Sequence, residues 1–427
     1  MDANSLLVHR FKMQCNKFSG TVSNGLGKIK KRLVKEMIYG IQASKDVKLS
    51  NIGRSLKEDI PLIKTEDRLS RNLSSEDISG YLNNEIMRLA SGKVDQSMVI
   101  AIDPGDLMKP YAKKMEKLCN IYDGSAGSNA RGYHMCQVTA ANLAHDKIVP
   151  LYCEAYSSED ENYIGSSEKI IEIVRKVKNY IGSNGTWAID RGGDDRDIIR
   201  GFTDEGLDFV VRLKMNRYMH FGNNINRQVQ AGRIHKHVKT PHKAHIYIAK
   251  DGKEKFIHLE YGAISVALPD FPNTWYTLVI VKGFGKVPML LLTNKEVNIK
   301  DNKQLWQIVE IYLTRWKCDE CYRYIKQSYN LEDFRVLNYN SIRNITAFVH
   351  AIAYFTSIYL GISLKLKIMV QKIFIISKRF FGVPTFFNYA MADGIFELLK
   401  KSRNGPAKYK SRIGKHHKSF QLSLFPD

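Results

Sequence analysis

Residues 97–105, SMVIAIDPG, set the first constraint on the fold. Met98 to Ile102 is a short apolar run that ends on Asp103, with Pro104-Gly105 directly behind it, and it reads as a buried strand closing at a turn. GTWAID (185–190) repeats the pattern, a strand again terminating in aspartate, followed by Arg191-Gly192-Gly193. Between them GYHMCQVTAANL (132–143) and KIVPLYCEAY (147–156) read as two strands separated by a turn at 144–146. SSEKIIEIVRKVKNYI (166–181) reads as an amphipathic helix with Ser and Glu at its start. A helix from about Asp194 and a strand LDFVVRLK (207–214) complete the series.

Three strands, helix, strand, helix, strand is the order of the ribonuclease-H-like fold, an α/β mixed sheet flanked by helices. Residues 97–215 are assigned to its first part. Upstream, in 1–96, residues 1–27 show no strong periodicity, and the stretch from Lys28 to Leu89 is helical and basic. Its Lys28, Lys30, Lys31, Arg54, Arg68 and Arg71 are expected at the surface, which suits a helix-turn-helix-like DNA-binding unit and an ordinary basic bundle equally. Downstream, 216–302 alternates in strand fashion through KAHIYIAK, KFIHLEYGAISVAL, WYTLVIVKGF and VPMLLLTN. It reads as a β-rich insertion and not as a continuation of the first sheet. Helical periodicity returns over 303–365, the second part of the core, and 366–427 holds basic C-terminal helices and a tail. ITAFVHAIAYFTSIYLGISL (345–364) is long enough to span a bilayer, but His350, Thr346, Thr356 and Ser357 within it favour a buried core helix, so no membrane partner is expected.

The chain of 427 residues carries 65 Lys+Arg against 43 Asp+Glu, a formal net charge of +22. Such an excess points to a polyanionic partner, with nucleic acid ahead of an anionic membrane or a ribosomal surface. With 44% hydrophobic and 25% charged residues the composition is that of a globular chain and excludes a disordered one. The six cysteines are scattered and no secretory leader is evident, so reduced thiols and a cytoplasmic, nucleoid-associated location are expected. Cys318-x-x-Cys321 falls inside a helix with no second pair at zinc spacing, and reads as helix residues.

A lone aspartate at a strand end is usually a turn or capping residue. Two of them on strands in this order are a different matter, because strand ends of an α/β sheet are where sites form and paired carboxylates suit hard cations such as Mg²⁺ or Mn²⁺. A third element lies in YLTRWKCDECYRYIKQ (312–327). On one continuous helix Tyr312, Arg315, Asp319, Arg323 and Lys326 fall within a stripe of about 80°, while Ile311, Cys318 and Ile325 lie on a flank that can pack against the sheet. A solvated charged face is the ordinary explanation of such a stripe. Here four cationic or aromatic groups surround one acid, which suits a phosphate backbone beside a metal.

With these residues in hand, the chain resembles the cut-and-paste DDE transposases of bacterial insertion sequences, in the group marked by Tyr-x2-Arg-x3-Glu-x6-Lys. The signature reads Tyr312, Arg315, Asp319, Lys326 here, with each spacing kept. Arg315-Trp316, IKQSYNLEDFRVL (325–337), DLMKPYAKKMEKL (106–118), DGSAG (123–127) and PMLLLTN (288–294) are also similar to family segments, and the resemblance spans roughly 28–400. One position departs. Asp319 stands where the family has glutamate, and Glu320 is beside it; either could be the third carboxylate with Asp103 and Asp190.

The resemblance implies two Mg²⁺ ions, with Mn²⁺ able to substitute, held by Asp103, Asp190 and Asp319, and no small-molecule cofactor. It implies cleavage of double-stranded DNA at element ends, attack by the freed 3′-hydroxyl to give a hairpin, transfer into target DNA, and two subunits paired on two ends. Tyr312, Arg315, Arg323 and Lys326, with Arg191 beside Asp190, would contact DNA phosphates. Trp275 of the insertion is a candidate to stabilise an unpaired base, against the commoner role of a core tryptophan. Asp106, past the Pro-Gly turn, is the weaker ligand. The rival readings are a nuclease with the same metal site and no strand transfer, and a DNA-binding protein without activity.

Overall fold

One apolar residue per turn is enough to build the first helix. Leu7, Phe11, Cys15, Phe18 and Val22 recur at three- and four-residue spacing and are buried along α1 (Ala3–Val22). A stripe this narrow, in a polar stretch, is why 1–27 lacks a visible period. The computed structural model describes residues 3–123, 127–144, 147–221, 228–250, 253–361, 364–377 and 388–406. Four more helices follow: α2 (Lys28–Ser44), α3 (Leu49–Leu56), α4 (Leu62–Ser74) and α5 (Ser79–Ala90).

Two cations expected at the surface of these helices are held inside instead. Arg68 bridges Glu36 and, at 2.5 Å, Glu58. Arg32 closes the square at 2.7 Å from each acid. Lys30 donates to the Asn72 carbonyl at 3.0 Å and to Ser75 Oγ at 2.9 Å. Lys28, Lys31, Arg54 and Arg71 are exposed, as their positions suggested.

The sheet begins with β1 (Val99–Met108), β2 (Cys119–Asp123), β3 (Ser128–Ala141) and β4 (Ile148–Tyr156). Next come α6 (Ser166–Ile181), β5 (Thr186–Ile189), α7 (Arg196–Asp204) and β6 (Phe209–Arg212). β3 lies antiparallel between β1 and β4, while β5 runs parallel to β1 and β6 parallel to β5. β1 does not end at Asp103 but continues through Pro104 and Gly105, paired with β3 as far as Met108. Its pairs with β5 stop at Ala101, so Pro104, which lacks an N–H, interrupts no ladder on that edge.

The strands of 216–302 belong to the same sheet, contrary to the expectation of a separate insertion. They are β7 (Tyr218–Phe221), β8 (Gln228–Gln230), β9 (His242–Lys250), β10 (Lys253–Leu268), β11 (Phe271–Lys282) and β12 (Met289–Thr293), with the short α8 (Ala231–Ile234) after β8. β12 pairs antiparallel with β6 and closes its open edge, giving one twelve-stranded sheet in the order β2-β3-β1-β5-β6-β12-β11-β10-β7-β8, with β4 also on β3 and β9 also on β10. An unpaired apolar edge on β6 would be an aggregation site, and pairing across some eighty residues of sequence is invisible to local pattern.

Helices α9 (Asn302–Thr314) and α10 (Trp316–Ser328) then cross the sheet, followed by α11 (Tyr339–Ser357), α12 (Leu364–Ile376) and α13 (Asn388–Lys400). α11 is buried over most of its length and packs with α5 on β4, whose nine residues are all buried. Among the described residues no helix is long and apolar enough to cross a membrane. Arg68→Ala is expected to destabilise the protein by about 2 kcal/mol, because Glu36 and Glu58 lose the better buried of their two cations and keep only the exposed Arg32. Arg71→Ala should stay within about 0.5 kcal/mol; equal shifts in denaturant midpoint for the two would contradict this packing.

Candidate active site

Register fixes the first two carboxylates. β1 and β5 pair in parallel at Ala101↔Ala188, so two residues further Asp103 and Asp190 stand level on neighbouring chains spaced about 4.8 Å apart. Alternation puts both on the face occupied by Val99 and Ala188, which is the face covered by α9. Asp190 also fills the ordinary role for its position: its Oδ1 accepts from the Gly192 N–H at 2.7 Å and caps the short turn that follows β5.

α10 brings the third acid, and Gly105 lets it come. A Cβ at Gly105 would collide with the Tyr322 hydroxyl. In its absence Tyr322 lies across β1 and donates to the Asp106 carbonyl at 3.1 Å, and Lys326 Nζ donates to the same oxygen at 2.9 Å. Gln137, opposite Asp103 on β3, reaches Cys321 Sγ at 3.1 Å. These contacts seat the first turns of α10 over β1 and β3, with Asp319 directed at the strand ends.

Arg315 sits at the joint between α9 and α10 and binds the acids together. Its Nη1 donates to Asp319 Oδ1 at 2.7 Å and its Nη2 to Oδ2 at 3.3 Å, with Nη1 3.8 Å from Asp103 Oδ1. Burial pushes the Asp103 carboxyl up to about 7, Asp319 and Asp190 push the same way, and Arg315 opposes them. Asp319 is likewise raised by burial and held down by Arg315, with Asp190 raising it further. Asp319 is thus the α10 acid whose charge is felt at Asp103. Glu320 is half-buried and has its own partner.

The expected stripe of contacts is only partly exposed. Tyr312 is fully buried in the cluster beneath α9, its ring 5.6 Å from the Arg315 guanidinium, so it cannot reach a phosphate as placed. The stripe faces the sheet, and its first half is covered by the strands it was to look out from. Lys326 is engaged by the Asp106 carbonyl and, at 2.8 Å, by Glu332. Arg323 and Arg191 are exposed. Asp106 is paired with His134, Nδ1 to Oδ1 3.0 Å, a cross-strand pair that only the β1–β3 register creates. The side chain of Cys318 and residues 124–126 lie outside the described residues. Trp275 is half exposed and not a core residue. It lies toward the end of β11 where Thr277 pairs Thr293, opposite the end that holds Asp190.

Three carboxylates around one positive charge make a donor set of the kind hard divalent cations take. As the side chains stand, no three His, Cys, Asp or Glu among the described residues converge closely enough to hold an ion. The guanidinium of Arg315 lies between Asp103 and Asp319.

No family model matches the sequence, and no curated protein does. Among solved structures the chain is similar to a cryo-EM structure of the piggyBac transposase synaptic complex with hairpin DNA, at 11% identity and a TM-score of 0.43, covering 86% of this chain and 71% of that one. A likeness this distant carries no weight for fold or chemistry.

The raised pKa of Asp103 has a consequence for stability. Between the unfolded value near 3.8 and the folded value near 7 the folded state holds more protons, so stability falls as pH rises through that window. Asp103→Asn should therefore melt above the wild type at pH 8 in chelating buffer, by the equivalent of a few kcal/mol, and the gap should narrow towards pH 5. A gap of the same size at both pH values would mean that Asp103 ionises normally.

Proposed function

We propose that this chain is a DNA transposase that cuts and joins DNA at a carboxylate triad of Asp103, Asp190 and Asp319. One observation carries the reading: the segment with the Tyr-x2-Arg-x3-acid-x6-Lys spacing, which runs from the last turn of α9 into α10, brings an acid towards two level aspartates on adjacent parallel strands. The order β4-β3-β1-β5-β6, with β3 antiparallel and β5 and β6 parallel to β1, supports a ribonuclease-H-like catalytic sheet. The charge of +22 supports DNA, both element ends and target, as the partner. Two subunits would pair on two ends.

Asp103, Asp190 and Asp319 would hold Mg²⁺ or Mn²⁺. Bound there, the ions would supply Lewis acidity for hydrolysis of the phosphodiester and for attack by the freed 3′-hydroxyl. The chain's own contribution is placement. Gly105, Tyr322 and Lys326 fix α10 over β1, so the Asp319 carboxylate needs little rearrangement. Arg315 would exchange partners: with cations held by the carboxylates, its guanidinium would be free to turn from Asp319 to a DNA phosphate, which it could bind bidentately. Arg323 and Arg191, exposed at the mouth, take phosphates on either side and set the strand's position.

Asp190→Asn and Asp319→Ala should abolish cleavage of DNA carrying the element's inverted repeats, with binding largely kept, whereas Glu320→Ala should still cut. Loss of cutting in Glu320→Ala alone would move the third ligand to Glu320, and cut but unjoined products from the wild type would favour a nuclease. Arg315→Ala, titrated with Mn²⁺ by calorimetry without DNA, should bind metal at least tenfold more tightly than wild type, because the competing cation is gone. Unchanged affinity would count against the exchange.

A further inference from the structure

The hairpin of β9 and β10 carries a cluster of rings that the carboxylate site does not use. β10 pairs with β11 only from Glu260↔Lys282 onward, and its first half pairs with β9 alone, so the hairpin overhangs the end of β11. β11 runs antiparallel to β12 and β12 antiparallel to β6. The overhang therefore projects at the end of the sheet where β5 and β6 finish, the end that holds Asp190. Gly283, at φ 113°, lies against the His258 backbone. Its neighbour Phe284 meets Trp316 edge-on at 5.6 Å, and Trp316 follows Arg315. The loop after β11 thus lies between the hairpin and the start of α10 and touches both.

Alternation sorts the hairpin's two faces. Ile246, Ile257 and Leu259 turn inward to the cluster under α9. The other face presents the cross-strand pairs Tyr247↔Phe256 and His245↔His258 to solvent, with Tyr247 70% and Phe256 42% exposed. The rings pack on one another: His245 stacks on Phe256 at 5.0 Å, and His258 stands edge-on to both at 4.6 and 4.7 Å. Tyr247 tilts onto Phe256 at 4.9 Å. Lys243 is exposed on the same face, with Glu260 opposite it, and the exposed Lys236 and Lys286 share a cavity with Gly283 at the foot of the hairpin.

We propose that this face is a stacking platform for the bases of an unpaired DNA strand, an inference that rests on the DNA-processing reading above. Ring faces packed on one another and open to water, with lysine beside them, suit a ligand that offers flat π-faces and phosphates together. Duplex DNA hides its base faces and is met by cations along its backbone, so four clustered rings add nothing for a duplex. Trp275, the aromatic residue the sequence singled out, stands at the opposite end of the sheet.

The test uses the full chain, a fluorescein-labelled twelve-nucleotide oligo(dT), a duplex of equal length, and an oligonucleotide with 2-aminopurine at its centre. Tyr247→Ala/Phe256→Ala should weaken single-strand binding by at least tenfold and duplex binding by less than twofold. Tyr247→Trp/Phe256→Trp should restore it. Wild type should quench 2-aminopurine fluorescence and the alanine pair should not. Single-strand binding that is absent in wild type, or unchanged in the alanine pair, while duplex binding persists overturns the platform and leaves the transposase reading standing. Failure of wild type to bind either form removes both. Should the alanine pair fail to fold by circular dichroism, Phe256→Leu, apolar but without a π-face, decides by the same quenching.

Discussion

Like charge gathered in a small space is the constraint on which this molecule turns. Asp103, Asp190 and Asp319 share one end of one sheet, and two unit charges about 4 Å apart repel by roughly 4 kcal/mol at the effective dielectric of a protein surface. Arg315 answers that repulsion, and its place explains the chain around it. The α9–α10 joint falls at Arg315, so that a side chain at the end of one helix reaches the first turn of the next. Tyr312 beneath it supplies a ring face to the guanidinium and not a hydroxyl to DNA.

The same end of the sheet exists only because the chain returns to it. After β6 the backbone runs out through β7 to β11 and comes back as β12, which pairs with β6 at Leu292↔Val211. α9 follows directly and lands on the face that Val99, Ala188 and Val210 present. The outlying strands thus carry α9 and α10 back into position as well as extending the sheet.

The legible part of this arrangement was local. The strand ending at Asp190, the helix Ser166–Ile181 and the Tyr312–Lys326 spacing all follow from residues adjacent along the chain, where period and capping act. What was hidden depends on partners far apart in sequence. β12 on β6, His134 on Asp106 and Glu36 on Arg68 each need a register or a helix crossing before the pair exists. Arg68 and Lys30 look like surface cations in composition and become internal only when α4 closes on α2. Tyr312 shows the limit of periodicity itself, which groups residues on a face without saying whether that face meets water or a sheet.

The approach of Asp319, and not Glu320, to the strand ends follows the same logic one step further. An aspartate lacks one methylene of glutamate's reach, so a helix that presents aspartate to the strand ends must lie closer to them. Closeness is limited by whatever stands on β1 beneath the helix. Gly105 stands there, and any Cβ would push Tyr322 and α10 away. The Asp106 carbonyl draws the helix down through Tyr322 and Lys326. Glu320 has the longer arm but lies about 100° round the helix, so its length is of use only if α10 rotates and gives up both of those hydrogen bonds. The short acid and the bare glycine are two halves of one geometric condition.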